Sequence, residues 1–307
     1  MPQFTVTKSN LINAPVEQVH AAVRDFRRWP TWSPWFVLEP DCEITFSEDG
    51  RRYAWNGRIV GQGEMEITRE EAPRSIEYRL TFLKPWKSVS QVGFTFHAKD
   101  GGTETTWTMD GSLPFFMFWM KPMMTGFVGM DFQRGLTMLK DDVETGAVPS
   151  KLEFLGPQSF TGSRFIGIRR TCAMADIASS MSADFATLTA WFTGRELPPS
   201  DKPFAITHRW DFKSGAAEYT LGIPVATAPG DLPAELHAGE LPSTRVYAIR
   251  HTGAYRHLGN AWTAGMMRAR ARVFALNRKI PPFETYETDP RTVREEDTVT
   301  IVRFPLK

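Results

Sequence analysis

The sequence predicts an α+β protein of two domains. An antiparallel sheet wrapped on a long C-terminal helix comes first, and a duplicated strand–helix–strand–strand unit follows. Three observations carry this. The first half runs strand, short helices, about six strands and one long amphipathic helix. Breakers crowd the middle, with Gly146, Pro149, Gly156, Pro157 and Gly162 between Thr145 and Ser163. The second half repeats itself at a spacing of about 80 residues. These place one domain over 1–148, a linker over 149–160 and a second domain over 161–307 of the 307-residue chain.

Composition narrows the function classes. Hydrophobic residues at 42% and charged residues at 23% describe an ordinary globular protein. A net charge of +1 gives no electrostatic footprint for nucleic acid and no overall drive towards anionic membranes. Cys42 and Cys172 lie too far apart for a metal-ligand spacing or a disulfide framework, so no metal or other cofactor is expected. The stretch Met1-Pro2-Gln3-Phe4-Thr5-Val6-Thr7-Lys8 lacks the apolar core of a signal peptide. The most apolar run, Leu113 to Met120, is far short of a membrane span and is stopped by Lys121-Pro122. A cytoplasmic protein without stable membrane insertion is expected.

The elements of the first half follow from local pattern. Phe4 to Ile12 alternates with β-branched residues and reads as a strand, and Pro15 with Glu17 marks a helix start. Val16, Val19 and Val23 give that helix its buried stripe. Arg51 to Val60, Gln62 to Arg69, Ser75 to Phe82, Val89 to His97 and Thr103 to Ser112 read as strands between turn signals such as Asp49-Gly50 and Asp100-Gly101-Gly102. From about Pro122 to Glu144, Met124, Val128, Phe132, Leu136, Leu139 and Val143 form one apolar helical face. Seven of the thirteen methionines fall between Met109 and Met138, and with Trp55, Trp86, Trp107 and Trp119 they read either as core or as the wall of an adaptable tunnel. His20 and His97 have no evident chemical partner and read as structural.

Ala14-Pro15-x-x-x-Val19, Asp25-x-x-x-Trp29-x-x-Trp32 and Asp131-Phe132-x-x-Gly135-Leu136-x-x-Leu139-Lys140 resemble the START-like, polyketide-cyclase superfamily over about residues 3 to 146. The resemblance implies a helix-grip domain with a tunnel between sheet and helix that takes hydrophobic small molecules.

In the second half, Ile168-Arg169-Arg170-Thr171 is echoed by Ile249-Arg250-His251-Thr252, and Pro203-Phe204-Ala205-Ile206-Thr207 by Pro282-Phe283-Glu284-Thr285-Tyr286. Tyr219-Thr220-Leu221-Gly222-Ile223-Pro224-Val225 is echoed by Val299-Thr300-Ile301-Val302-Arg303-Phe304-Pro305-Leu306. The offsets are 81, 79 and about 80, in order along the chain. Helices are expected over about Met181 to Thr193 and Arg256 to Asn277. Two such copies arrange their strands about a pseudo-twofold axis with a groove between them.

Pro281-Pro282 and Asp289-Pro290 bracket a short strand in which alternation puts Phe283 and Thr285 on one face and Glu284 with Tyr286 on the other. Glu284 corresponds to Ala205 and Tyr286 to Thr207, so the acid is present in one copy only. A residue serving the scaffold alone would be wanted in both, so Glu284 reads either as an acid with a one-sided task or as a surface acid on an edge strand. Tyr286, Tyr255, Tyr247, Trp262 and Trp210 are the candidate aromatic walls around it.

Tyr247-x-x-x-His251-x-Gly253-x-Tyr255, the helix with Trp262, Phe283-Glu284-x-Tyr286-x-x-Asp289-Pro290 and the closing Phe304-Pro305 resemble the GyrI-like effector-binding domain of multidrug-sensing regulators, over about 160 to 307. The resemblance implies an aromatic bowl with Glu284 at its floor, a lipophilic cationic guest, and an effector-binding or sequestering role. Some stand-alone relatives look like hydrolases of strained electrophilic natural products, in which Glu284 would be the general acid or base. One departure matters: a helix-grip domain stands where those regulators carry a DNA-reading helix pair. Arg268, Arg270 and Arg272 come at steps of two, spread around their helix, and read as solvated surface with no nucleic-acid partner.

Overall fold

A computed structural model describes residues 3–85, 87–112, 119–211 and 214–307. Trp86, Met117 and most of the apolar run from Leu113 lie outside the described residues. The chain divides into two compact units, Met1–Ser150 and Lys151–Lys307.

In the first unit, β1 (Gln3–Ile12) leads into α1 (Val16–Arg24) and the short α2 (Trp29–Trp32). Six strands follow, β2 (Glu43–Phe46), β3 (Arg52–Asn56), β4 (Gln62–Glu71), β5 (Ser75–Lys84), β6 (Ser88–Lys99) and β7 (Gly102–Ser112), and then α3 (Lys121–Thr145). The sheet order is β1-β7-β6-β5-β4-β3-β2, antiparallel throughout. Alternation dictates it, because Tyr53, Trp55, Met65, Ile67, Ile76, Tyr78, Phe94, Phe96, Trp107 and Met109 all point to one buried face. Against that face α3 lays Phe132, Leu136, Leu139 and Val143, and Gly146 ends the helix in the left-handed conformation at φ +80°.

The interior of this unit is aromatic. The Trp107 ring lies flat on Phe132 of α3, centroids 4.1 Å apart and planes 7° from parallel, and Phe94 stacks on its other side at 4.8 Å. At that level sheet and helix are in ring-to-ring contact, so Trp107 and Trp55 are core, whereas Trp119 is exposed. His20 is buried 3.6 Å from Glu70 and edge-on to Phe96, a partner that its neighbours in sequence gave no hint of.

The second unit opens with β8 (Ser150–Phe160). This is a correction: the segment expected to be a linker over 149–160 is a strand, at the edge of the second sheet beside the strand Thr244–Gly253. Breaker density misled because Gly156 takes its positive φ of 76° inside the strand.

Then come β9 (Ser163–Ala173), α4 (Ile177–Phe192), β10 (Phe204–Asp211) and β11 (Ala216–Val225), the connecting strand β12 (His237–Leu241), and β13 (Thr244–Gly253), α5 (Gly259–Arg270), β14 (Phe283–Tyr286) and β15 (Val299–Pro305). The order β12-β9-β11-β10-β14-β15-β13-β8 makes the two copies mirror one another about the β10–β14 seam. Across that seam Phe204 pairs with Thr285, Ala205 with Glu284 and Ile206 with Phe283. The pseudo-twofold axis therefore passes through the Ala205–Glu284 pair. The strand registers also refine the third echo. Tyr219 opposes Arg170 and Thr300 opposes His251, so Tyr219 corresponds to Thr300, one position beyond the Val299 with which its sequence aligns.

The second helix is shorter than its periodicity suggests. It ends at Arg270, and Arg272 adopts a positive φ of 58°, turning the chain back. Tertiary contacts drive the reversal: Phe274 stacks on Tyr247 at 4.4 Å, and Leu276 bridges to Leu306. α5 sits close on the sheet because Gly265 has no side chain; a Cβ there would fall 2.0 Å from the Phe304 ring.

Candidate functional site

Glu284 enters the site from the centre of β14, on the seam, with only 6% of its surface exposed. Its face of the sheet carries Ala205 on one side and Val302 and Ile249 on the other. The same face carries α5, since Trp262 of that helix packs edge-on to Phe304 of β15. Two donors hold the carboxylate. Trp262 Nε1–H donates to Oε2 at 2.5 Å, and the Tyr286 hydroxyl donates to Oε1 at 2.7 Å. Burial pushes the Glu284 carboxyl above the usual carboxylate range, and the Tyr286 and Trp262 hydrogen bonds pull it partly back.

Aromatic rings continue outward from the acid. Tyr255 meets the Tyr286 ring edge-on at 6.0 Å and is itself partly exposed, while burial and the nearby Glu284 charge push its hydroxyl up to about 12. Phe185 of α4 approaches Tyr286 from the opposite copy at 6.3 Å. The structure thus gathers Glu284, Tyr286, Tyr255 and Trp262. Tyr247 lies on the same face, but its ring is buried against Phe274, in the core behind Trp262. Trp210 is half-exposed and five positions along β10 from Ala205, roughly 15 Å at strand spacing. It stands apart from the acid.

Sequence reasoning missed Phe185. The signal was present in the symmetry, since a groove between two copies needs a wall from the first helix as well as the second. It also missed a polar cluster in the first copy, where Arg170 Nε bonds both Asp184 oxygens at 2.7 and 2.9 Å and the Tyr219 hydroxyl donates to Asp184 at 2.7 Å. The corresponding second-copy positions to Arg170 and Tyr219 are His251 and Thr300, both fully buried. The three acids that sequence left open as companions of Glu284 are all engaged elsewhere or distant. Glu287 lies on the opposite face with Thr285 and Arg303, Glu218 is paired with Arg169, and Glu240 sits on the outer strand β12. A cavity of about 450 Å³ opens on that opposite face, among Lys151, Glu153, Arg250, Glu287 and Thr288, and does not include Glu284.

Arg268 departs from expectation. It is buried, with its guanidinium 3.4 Å over the Phe154 ring of β8, because the short helix turns that side towards the sheet edge. Arg270 and Arg272 are exposed.

His251 yields a pH prediction. Burial, reinforced by the neighbouring His257, holds its imidazole down at about 4 against an ordinary 6.5. The unfolded chain takes a proton that the folded state refuses, so this contribution is complete above 6.5 and is lost as pH falls towards 4. The loss is expected to reach roughly 3 kcal/mol. Urea midpoints between pH 7 and 4 measure it, and His251→Gln should flatten the profile. A variant as acid-sensitive as the wild type would assign the slope to other groups.

Residues 3–144 match the family model described as polyketide cyclase / dehydrase and lipid transport, and residues 159–307 match that of the GyrI-like small molecule binding domain. Residues 3–144 thus carry a domain of the first type, and residues 159–307 a small-molecule-binding domain of the second. No protein of curated function matches it. Among solved structures, EcmrR in complex with DNA is 13% identical, with 61% of this chain and 65% of that chain covered and a TM-score of 0.43. SAV2435 bound to tetraphenylphosphonium is 16% identical over 50% of this chain and 94% of that one, with a TM-score of 0.39. MLL2253 from Mesorhizobium loti is 18% identical over 45% and 95%, with a TM-score of 0.36. Likeness at this level carries nothing about activity to this chain. Among the described residues, no helix is long and apolar enough to cross a membrane.

Proposed function

We propose that the second unit binds hydrophobic, aromatic and preferentially cationic small molecules between its two repeats, with Glu284 as counter-ion. The observation that supports this is a nearly buried carboxylate on the pseudo-twofold axis, present in one copy only, with Trp262 and Tyr286 as its donors. Burying such a group serves no packing purpose, because a desolvated charge costs free energy until a cation approaches it. Tyr255, Tyr286 and Phe185 add ring faces and edges next to the acid. A flat cation gains from their area and, where it meets a ring face, about 0.5–2 kcal/mol of cation–π attraction.

Binding without turnover is the reading favoured by the surroundings. A general acid–base pair acting across a substrate needs a second poised group. Glu218 and Glu287 lie on the opposite face of the sheet, Glu240 stands on the edge strand β12, four strands away from β14, and the Asp184 carboxylate is occupied by Arg170 and Tyr219. The role is then effector binding or sequestration, in a cytoplasmic protein whose partner is a small molecule.

The test is native mass spectrometry of the freshly purified chain, followed by titration with tetraphenylphosphonium as an aromatic cation without hydrogen-bonding groups. A saturable complex that raises the melting temperature supports the proposal. Recovery of a chemically altered ligand would favour the hydrolase instead. No complex with any lipophilic cation would remove both.

A further inference from the structure

The described surface of the first unit has one unusual end. Trp119 and, on the first turns of α3, Met123, Phe127 and Met130 are exposed, at steps of four, four and three. Leu83 and Val89 are exposed on the β5–β6 hairpin. The registers bring these together. Phe82 pairs with Ser88 at the hairpin, and Gln91 pairs with Asp110, so Val89 stands level with Ser112, where β7 runs out. β1 begins at the same level, since Gln3 pairs with Ser112. α3 runs along β1 in the same sense, with Gly129 against Val6 and Lys8, Leu136 bonded to Asn10 and Lys140 to Leu11. The start of the helix and the hairpin tip therefore project from one end of the unit.

Charge at this end is one-sided. Residues 80–91 and 111–130 contain Lys84, Lys87 and Lys121 and no aspartate or glutamate. All three lysines are exposed. The nearest acids point elsewhere or are paired: Asp110 accepts from Thr5, Asp131 is bound by Arg134, and Glu64 faces Arg52. The chain's net charge of +1 hides this local imbalance.

Protruding large apolar side chains set among lysines without acids match an anionic lipid surface. A protein partner would need a concavity shaped to each protrusion, whereas lipid is fluid and accepts them as they stand. Tryptophan and phenylalanine seat at the headgroup boundary while lysines meet anionic headgroups. We infer that this end of the first unit, with Leu83, Lys84, Lys87 and Val89 beside Trp119 to Met130, docks peripherally on anionic membranes. The inference stands apart from the ligand assigned to the second unit.

The test uses the full chain in co-sedimentation with vesicles of phosphatidylcholine alone and of phosphatidylcholine with phosphatidylglycerol. Binding is expected to the anionic vesicles, to weaken with added salt, and to be much lower on the neutral ones. The double variant W119S/F127S should bind at least about tenfold more weakly. Reversing Lys84, Lys87 and Lys121 to Glu should cost on the order of a hundredfold. These lysines are exposed, so the charge variant keeps its fold and decides the matter if the apolar variant unfolds. Absence of vesicle binding at low salt, or equal binding by wild type and both variants, overturns the inference. So does a reversible dimer in sedimentation that W119S/F127S abolishes without any vesicle binding, which would make a second copy the occupant.

Discussion

Glu284→Gln is expected to weaken binding of an aromatic cation by roughly thirtyfold, about 2 kcal/mol, the lower end of what removing one member of a buried charge pair costs. The substitution leaves the scaffold able to fold. Trp262 can only donate, so it keeps the amide oxygen, and the amide N–H₂ then donates to the Tyr286 hydroxyl oxygen. Loss of affinity without loss of melting temperature is therefore the signature. The pH dependence follows from the same group. Burial favours the neutral acid in the free protein, so the folded carboxyl holds its proton above the ordinary value of 4.5. Stability from the neutral acid is fully present below 4.5 and is lost as pH rises through the raised folded value. A cation reverses the preference. Affinity should rise as pH climbs through that value, with a proton released on binding, and Glu284→Gln should show a flat profile. Isothermal titration calorimetry in buffers of different ionisation enthalpy reads the proton directly. Equal affinity in wild type and variant at every pH would show that the acid is not the counter-ion.

Trp107→Ala is expected to destabilise the first unit by roughly 3–5 kcal/mol, a large share of the 5–15 kcal/mol typical of a domain. The ring is 1% exposed and sandwiched between Phe94 and Phe132, so truncation opens a cavity between sheet and helix that neither neighbour can fill without leaving its stack. Chemical denaturation followed by near-ultraviolet circular dichroism measures it. A loss below about 1 kcal/mol would mean that the ring lines open space, as a tunnel wall would. The second unit has its own core, built on Ile166, Leu188, Leu221 and Ile223, so binding of a cation there should survive the change.

Much of the fold is legible in the amino-acid pattern. Strand boundaries in the first half follow the period-two pattern to within a few residues, because the pleat alone decides which face a side chain takes. The same rule put Glu284 and Tyr286 on one face, and it held. The echoed segments identified Ala205 as the partner copy of Glu284 before the register showed them side by side on the axis. What failed was whatever depended on residues distant in sequence. The early end of α5 is set by Phe274 reaching Tyr247, burial of Arg268 by Phe154 on a strand that reads as a linker, and isolation of Trp210 by distance along β10.

Local periodicity and spacing are enough to write the two-domain order, the duplication and the single acid that breaks its symmetry. Folding in three dimensions is what brings Trp262 onto that acid, sets Phe185 near Tyr286 from the other copy, and gathers apolar residues of a hairpin and a helix at one exposed end. Those are meetings between elements, and their geometry is fixed by how side chains from remote segments pack, which no short window of sequence contains.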